Sequence, residues 1–236
     1  MNKYGKLYGI GVGPGDPELL TVKAVKILAA VDVVLAAAST KNEYSRSLDI
    51  AMQYIGGNCE IIKVSYPMTR DKKILDRAWE ENADLAAEFL KSGKNVAFLT
   101  LGDPLIYSTF GYMLRTISKS YPQFDVEIIP GITSYQAAAA ETGTILVESG
   151  QNLLLTSGVA DEAKFKQSME QSDNVVILKA YRNFVELRGA VMALSDKYNS
   201  KFISRLGLDG EQIFDDISAV PEKTHYLSLM LLTAAS

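Results

Sequence analysis

A strand that ends in a glycine turn and reopens as a helix constrains this chain more than any other feature. Residues 7–12 alternate apolar side chains with Gly9 and Gly11, as a buried strand does. Gly13-Pro14-Gly15 breaks the strand, and Asp16-Pro17 supplies an N-cap and a first-turn proline. Leu20, Ala24, Ile27, Leu28 and Val31 then recur at helical spacing, and residues 32–37 have the length and branching of a second buried strand. The chain therefore starts as a β-α-β unit.

The pattern repeats. A helix is expected over 48–55, a strand over 60–64, a long helix over 74–90 and a strand over 96–99. After the turn 100–104 a helix runs to Ser120, and a strand over 126–129 stops at Pro130-Gly131. Helices between short apolar strands predict an α/β protein with a largely parallel buried sheet in residues 1–129. Beyond that break the order changes: strand 153–156, helix 161–169, strand 175–178, helix 184–198, then strands 201–206 and 226–232. This order suggests a second, smaller mixed α/β domain over 130–236. With 236 residues and 47% apolar content there is enough material for both cores. No fixed-period repeat or low-complexity tract interrupts them.

The formal charge of -4 lacks the global basic excess of a non-specific nucleic-acid binder, so no nucleic-acid partner is expected. Residues 1–129 hold 15 basic and 15 acidic side chains and residues 130–236 hold 9 and 13, which puts the negative excess in the second half. One cysteine, Cys59, excludes an intramolecular disulfide framework, and with one histidine, His225, it argues against a zinc or iron site built from those ligands. A reducing compartment fits best. Neither a signal-peptide stretch nor a membrane-spanning run is evident, so a cytoplasmic protein without a membrane partner is expected.

Three turns could carry chemistry. The first, Gly9 to Asp16, lies between a strand and a helix, where a ligand can approach the backbone. Nucleotide readings fail: counted from Gly11, the third glycine of a dinucleotide fingerprint falls on Asp16, and no Gly-Lys-Ser/Thr ending follows. A tight turn capped by Asp16 also accounts for this segment. The second, Gly102-Asp103-Pro104, follows a buried strand and so lies at the carboxyl end of the sheet, where open α/β folds bind ligands. Asp103 could accept hydrogen bonds from an amine or a ribose hydroxyl, or serve as a cap before Pro104. The third, Pro130-Gly131-Ile132-Thr133-Ser134, places two hydroxyls at the domain junction, as helix caps or as ligand contacts.

In combination they say more. GVGPGDPELLT, LGDPLIYST and IPGITS, in that order and over nearly the whole chain, resemble the tetrapyrrole (precorrin) methylase family. The resemblance implies two α/β domains with the active site in the cleft between them, S-adenosylmethionine bound there as co-substrate, a tetrapyrrole substrate and a homodimer. Carried over residue by residue, it assigns the cofactor to Pro14, Leu101, Gly102, Asp103, Ile106, Thr133, Ser134, Lys179, Leu206 and Gly207. Several relatives have methionine at the Lys179 position, where a lysine facing a sulfonium would need a carboxylate or water; a solvent-facing lysine at a strand end is the other reading.

Tyr107-Ser108-Thr109, the segment 39–48 and Arg205-Leu206-Gly207-Leu208 resemble the C-20 methylases that act on precorrin-2 or cobalt-factor II in cobalamin biosynthesis. Uroporphyrinogen methylases carry an aspartate, assigned as a base, at the end of the second strand; here that position is Ala37. Tyr107 or Asp16 could assist loss of the meso proton, Tyr107 being equally suited to pack under the cofactor or the macrocycle. The substrate's carboxylates call for cations at the site, with Lys41, Arg46 and Arg70 as candidates beside Lys72 and Lys73; each also reads as an ordinary surface charge. Two alternatives stay open: another methyltransferase of this fold, acting at a different precorrin position or on RNA or protein, and a non-catalytic tetrapyrrole-binding module.

Overall fold

A computed structural model describes residues 3–38, 45–67, 69, 71–158 and 162–235. The chain forms two compact units, Met1–Thr133 and Ser134–Ser236.

In the first unit the order is β1 (Lys6–Gly11), α1 (Val22–Leu28), β2 (Val33–Ala38), α2 (Arg46–Ala51), β3 (Glu60–Ser65), α3 (Lys72–Lys91), β4 (Val96–Thr100), α4 (Phe110–Ser120) and β5 (Asp125–Ile129). The sheet runs β3-β2-β4-β1-β5, and every neighbouring pair is parallel. Both faces are covered, which is why β2 and β4 read as continuous apolar runs rather than as alternations. On one face Ile10, Val34, Ala36, Ala97 and Leu99 pack with Ala24 and Leu28 of α1 and with Leu48 and Ile50 of α2. On the other Leu7, Leu35 and Phe98 pack with α3 and α4.

Helix α3 starts where the Asp71 carboxylate accepts from the amides of Lys73 and Ile74. It buries Ala83, Ala86, Ala87 and Leu90, a stripe at helical spacing whose small side chains let the helix lie close to the sheet. Trp79 stacks on Tyr112 of α4 with ring centroids 4.1 Å apart. Gly9 is a packing requirement of the same face: a Cβ there would stand 2.3 Å from the Phe110 ring.

The second unit contains α5 (Ser134–Glu141), β6 (Leu153–Ser157), α6 (Glu162–Glu170), β7 (Asn174–Leu178), α7 (Phe184–Met192), β8 (Tyr198–Ser204), β9 (Gln212–Phe214) and β10 (Ser228–Ala234). Its sheet runs β6-β7-β10-β8-β9; only β6 and β7 are parallel, and the other pairs are antiparallel. Leu229 and Leu231 face a cluster with Ala138 of α5, while Met230 and Leu232 face α6 and α7.

One sequence expectation is corrected and one strand is added. The helix expected over 184–198 ends at Met192, and Tyr198 instead opens β8. Its hydroxyl sits between the backbone carbonyls of Met169 and Ser172, the latter at 2.6 Å, and this fixes the residue in the strand. Strand β9 was not anticipated, because three residues carry too little periodicity to register.

Candidate functional site

Strand β1 feeds α1 on one face of the first sheet, whereas its neighbour β4 feeds α4 on the other. The carboxyl ends of β1 and β4 therefore form the switch point at which open α/β sheets bind ligands. All three turns singled out in the sequence end there, and they touch through backbone.

Gly13 and Gly102 form an antiparallel bridge, with the Gly102 amide donating to the Gly13 carbonyl at 2.7 Å. Glycine is obligatory at Gly11 and Gly131. A Cβ on Gly11 would lie 2.5 Å from the Gly102 carbonyl oxygen, and one on Gly131 would lie 2.1 Å from the same atom. Gly102 itself has φ +70°, in the left-handed region that favours glycine. The sequence reading missed Gly11 and Gly131 as site residues, although their place at strand ends was a usable signal.

Asp103 bridges two of the turns. Its Oδ1 accepts from the Leu105 amide at 2.8 Å and its Oδ2 from the Gly131 amide at 3.1 Å. Each oxygen has a further lone pair, so the half-buried carboxylate can still accept from a ligand. Asp16 acts locally, where its Oδ1 accepts from the Glu18 amide at 2.8 Å and caps a single 3-10 turn.

Pro14 is buried beside this bridge, Leu101 and Ile106 are half-buried, and Thr133 is 7% exposed. Tyr107 combines φ +48° with 52% exposure of a large aromatic residue. Such a conformation in a non-glycine residue is costly, and sites are where it is usually tolerated. Ser108 turns inward, its hydroxyl accepting from the Phe110 amide at 3.1 Å.

The remaining expected residues lie in the second unit. Ser134 opens α5. Lys179 follows β7 with φ +54°, exposed as a residue, and its pKa is lowered first by desolvation and then by the charge of Arg182. Leu206 is buried against Ala138, Ile203 and Leu229, and Gly207 follows with φ +66°, its amide donating to Glu211 at 2.7 Å. Arg205 is also left-handed, at φ +58°.

Of the cations expected to meet substrate carboxylates, Arg46 opens α2 and is half-buried, and Lys72 and Lys73 are exposed at the start of α3. Lys41 and Arg70 lie outside the described residues, as do positions 39–44 of the segment 39–48. Among the described residues no group of three or more His, Cys, Asp or Glu is placed to hold a metal ion, and no helix is long and apolar enough to cross a membrane.

The model of the Tetrapyrrole (Corrin/Porphyrin) Methylases matches residues 6–220. The chain is 33% identical to a cobalt-precorrin-2 C(20)-methyltransferase of Salmonella typhimurium, covering 92% of this chain and 90% of that protein. It is also 33% identical to a probable cobalt-precorrin-2 C(20)-methyltransferase of Methanocaldococcus jannaschii, with 98% of each covered. In fold it is similar to a cobalt precorrin-4 methyltransferase at TM-score 0.77 and 22% identity, covering 97% of this chain and 94% of the other. It is likewise similar to the uroporphyrin-III C-methyl transferase of Thermus thermophilus complexed with S-adenosylhomocysteine, at TM-score 0.67 and 23% identity, with 97% of each chain covered.

Proposed function

Because the chain belongs to the tetrapyrrole (corrin/porphyrin) methylase family, we propose that it methylates C-20 of a precorrin-2 macrocycle with S-adenosylmethionine, a step of cobalamin biosynthesis. The observation that carries this reading is the joining of the three turns through Gly11, Gly102 and Gly131, in a chain that matches C(20)-methyltransferases over almost its full length. Ala37, where an acid would mark the first methylase of the pathway, sits in β2 and supports the same choice.

S-adenosylmethionine, when bound, supplies an electrophilic methyl group on a positively charged sulfur, so the protein's contribution is chiefly positional. Holding nucleophile and methyl in line can contribute on the order of 7 kcal/mol or more. Pro14, Leu101, Gly102, Asp103, Ile106 and Thr133 of the first unit, with Ser134, Lys179, Leu206 and Gly207 of the second, are the residues we assign to that co-substrate. Gly11 and Gly131 let the three turns close on one another, and Asp103 keeps acceptor capacity for an amine or a hydroxyl. Loss of the meso proton completes the exchange. Asp16 caps the 3-10 turn through the Glu18 amide, and Tyr107, an exposed residue on the second turn, is the one we assign to passage of that proton to water.

Assembly as a homodimer belongs to the same reading, and the exposed Ile145 and Val147 are apolar surface that a second copy could cover. A cytoplasmic location fits the single, free Cys59. The test is an anaerobic assay offering labelled S-adenosylmethionine with metal-free precorrin-2 and with its cobalt form, side by side. Label should appear on C-20 of at least one macrocycle; binding without transfer, or transfer to neither, overturns the reading.

A further inference from the structure

The tetrapyrrole reading requires anchors for a polycarboxylate, and the turn after β7 carries two cations, Lys179 and Arg182. Within that turn the Arg182 amide donates to the Lys179 carbonyl at 3.2 Å. Ala180, fully buried, pins it, its amide donating a hydrogen bond to the Ser228 carbonyl at 3.2 Å. Lys179 and Arg182 are left exposed on either side of the pinned segment.

Arg182 is held in place. Its Nε donates to the Tyr181 hydroxyl at 3.1 Å, and its Cδ lies 3.5 Å from where a Cβ on Gly158 would stand. Gly158 directly follows Ser157, the last residue of β6, which pairs with Leu178. The two cations thus sit at the ends of the one parallel strand pair of the second sheet.

Among the described residues, no carboxylate lies within ion-pair distance of Lys179 or Arg182. The positive charge of Arg182 disfavours the charged form of Lys179, and partial desolvation does so more strongly. Lys179 also holds a left-handed backbone that a β-carbon disfavours. Like charges on a constrained turn, with no acid between them among the described residues, are offset when an anion binds. A positively charged sulfonium would worsen the repulsion.

We propose that Lys179 and Arg182 form a carboxylate subsite, with Tyr181 holding the guanidinium ready to receive it. The carboxylate can come from an acidic side chain of the macrocycle or from the amino-acid end of the co-substrate. This inference rests on the function proposed above.

Calorimetric titrations of the full chain with cobalt-precorrin-2, S-adenosylhomocysteine and 5′-methylthioadenosine, which lacks the carboxylate, separate the two sources. Arg182→Ala and Lys179→Gln should each weaken binding of one carboxylate-bearing ligand by about tenfold or more, with the loss shrinking at high salt. Arg182→Lys should recover part of it, because it keeps the charge without the planar fork. Weakening confined to the macrocycle assigns the subsite to substrate. If S-adenosylhomocysteine weakens and 5′-methylthioadenosine does not, the subsite belongs to the co-substrate. Unchanged affinity for both carboxylate ligands, or equal weakening of S-adenosylhomocysteine and 5′-methylthioadenosine, overturns the proposal. Melting temperatures guard against a folding defect, and Lys179→Gly, which relieves the backbone while removing the charge, should behave like Lys179→Gln. A wild-type protein that methylates neither macrocycle would end the functional reading, while the S-adenosylhomocysteine arm would still decide this one.

Discussion

At the scale of single residues, Gly131 and Gly189 have the same side chain and opposite tolerance for change. A Cβ on Gly131 would meet the Gly102 carbonyl at 2.1 Å, whereas one on Gly189, within α7, meets nothing within 4 Å. Gly131→Ala should therefore destabilise the protein by about 1–3 kcal/mol through overpacking and weaken S-adenosylhomocysteine binding. Gly189→Ala should stabilise it by up to about 1 kcal/mol, since alanine is the better helix former. Thermal unfolding and calorimetry of the pair check both; a tolerated Gly131→Ala would mean the turns need not touch. For Tyr107 the phenol and the ring can be separated. If the hydroxyl conveys the meso proton, Tyr107→Phe should lower kcat by about a hundredfold and leave S-adenosylhomocysteine affinity intact; an unchanged kcat assigns the residue to packing instead.

At the scale of elements, helix starts differ in what the sequence makes visible. Asp71 before α3 and Asp16 before the 3-10 turn are both cap residues, and both carboxylates make the expected bonds. Thr109 occupies the N-cap position of α4 with helical backbone angles and no side-chain cap bond. Asp71→Ala should cost about 1 kcal/mol. Thr109→Ala should leave the melting temperature nearly unchanged, so any fall in activity for that variant reflects contact with a ligand. Strands β1, β4 and β5 of the first unit were legible because a glycine or proline follows within two residues of their ends, and β2 because it is a continuous apolar run. The end of α7 was not: Leu194 and Tyr198 continue the apolar pattern past Met192, and it is pairing with Ala234 of β10, with the distant carbonyls of Met169 and Ser172, that holds Tyr198 in a strand. The same limit holds at the site. Pro14, Gly102 and Asp103 stand out by their turn chemistry, but that Asp103 binds the Gly131 amide, 28 residues on, depends on strand order, which local pattern does not contain. Lys179 shows it for charge, because the nearness of Arg182 follows from a backbone turn and not from spacing alone.

At the scale of the whole molecule, the net charge of -4 hides a local cluster that governs acid stability. Lys6 on β1 pairs with Glu127 at 2.7 Å and with Asp125 at 3.1 Å, both on β5, and Lys23 of α1 also pairs with Glu127. Hydrogen bonds from Lys23 and then Lys6 lower the Glu127 pKa to about 2 from an ordinary value of 4.5, and bonds to Glu127 and then Asp125 raise that of Lys6. Glu127 binds a proton more readily in the unfolded chain, so its stabilising effect is complete above pH 4.5 and fades as the pH falls toward 2. For Lys6 the sign is opposite: its contribution is complete below its unfolded value of 10.5 and is lost only as the pH rises through its raised folded value. The cluster is solvent-accessible, so its effect is modest and should weaken in molar salt. Melting temperatures followed from pH 6 down to pH 2 should fall less steeply for Glu127→Gln than for the wild type, starting from a lower value, and the two curves should converge at the acid end. Parallel curves over that range would show that the carboxylate titrates alike in the folded and unfolded chains, and that the join of β1, β5 and α1 does not depend on its charge.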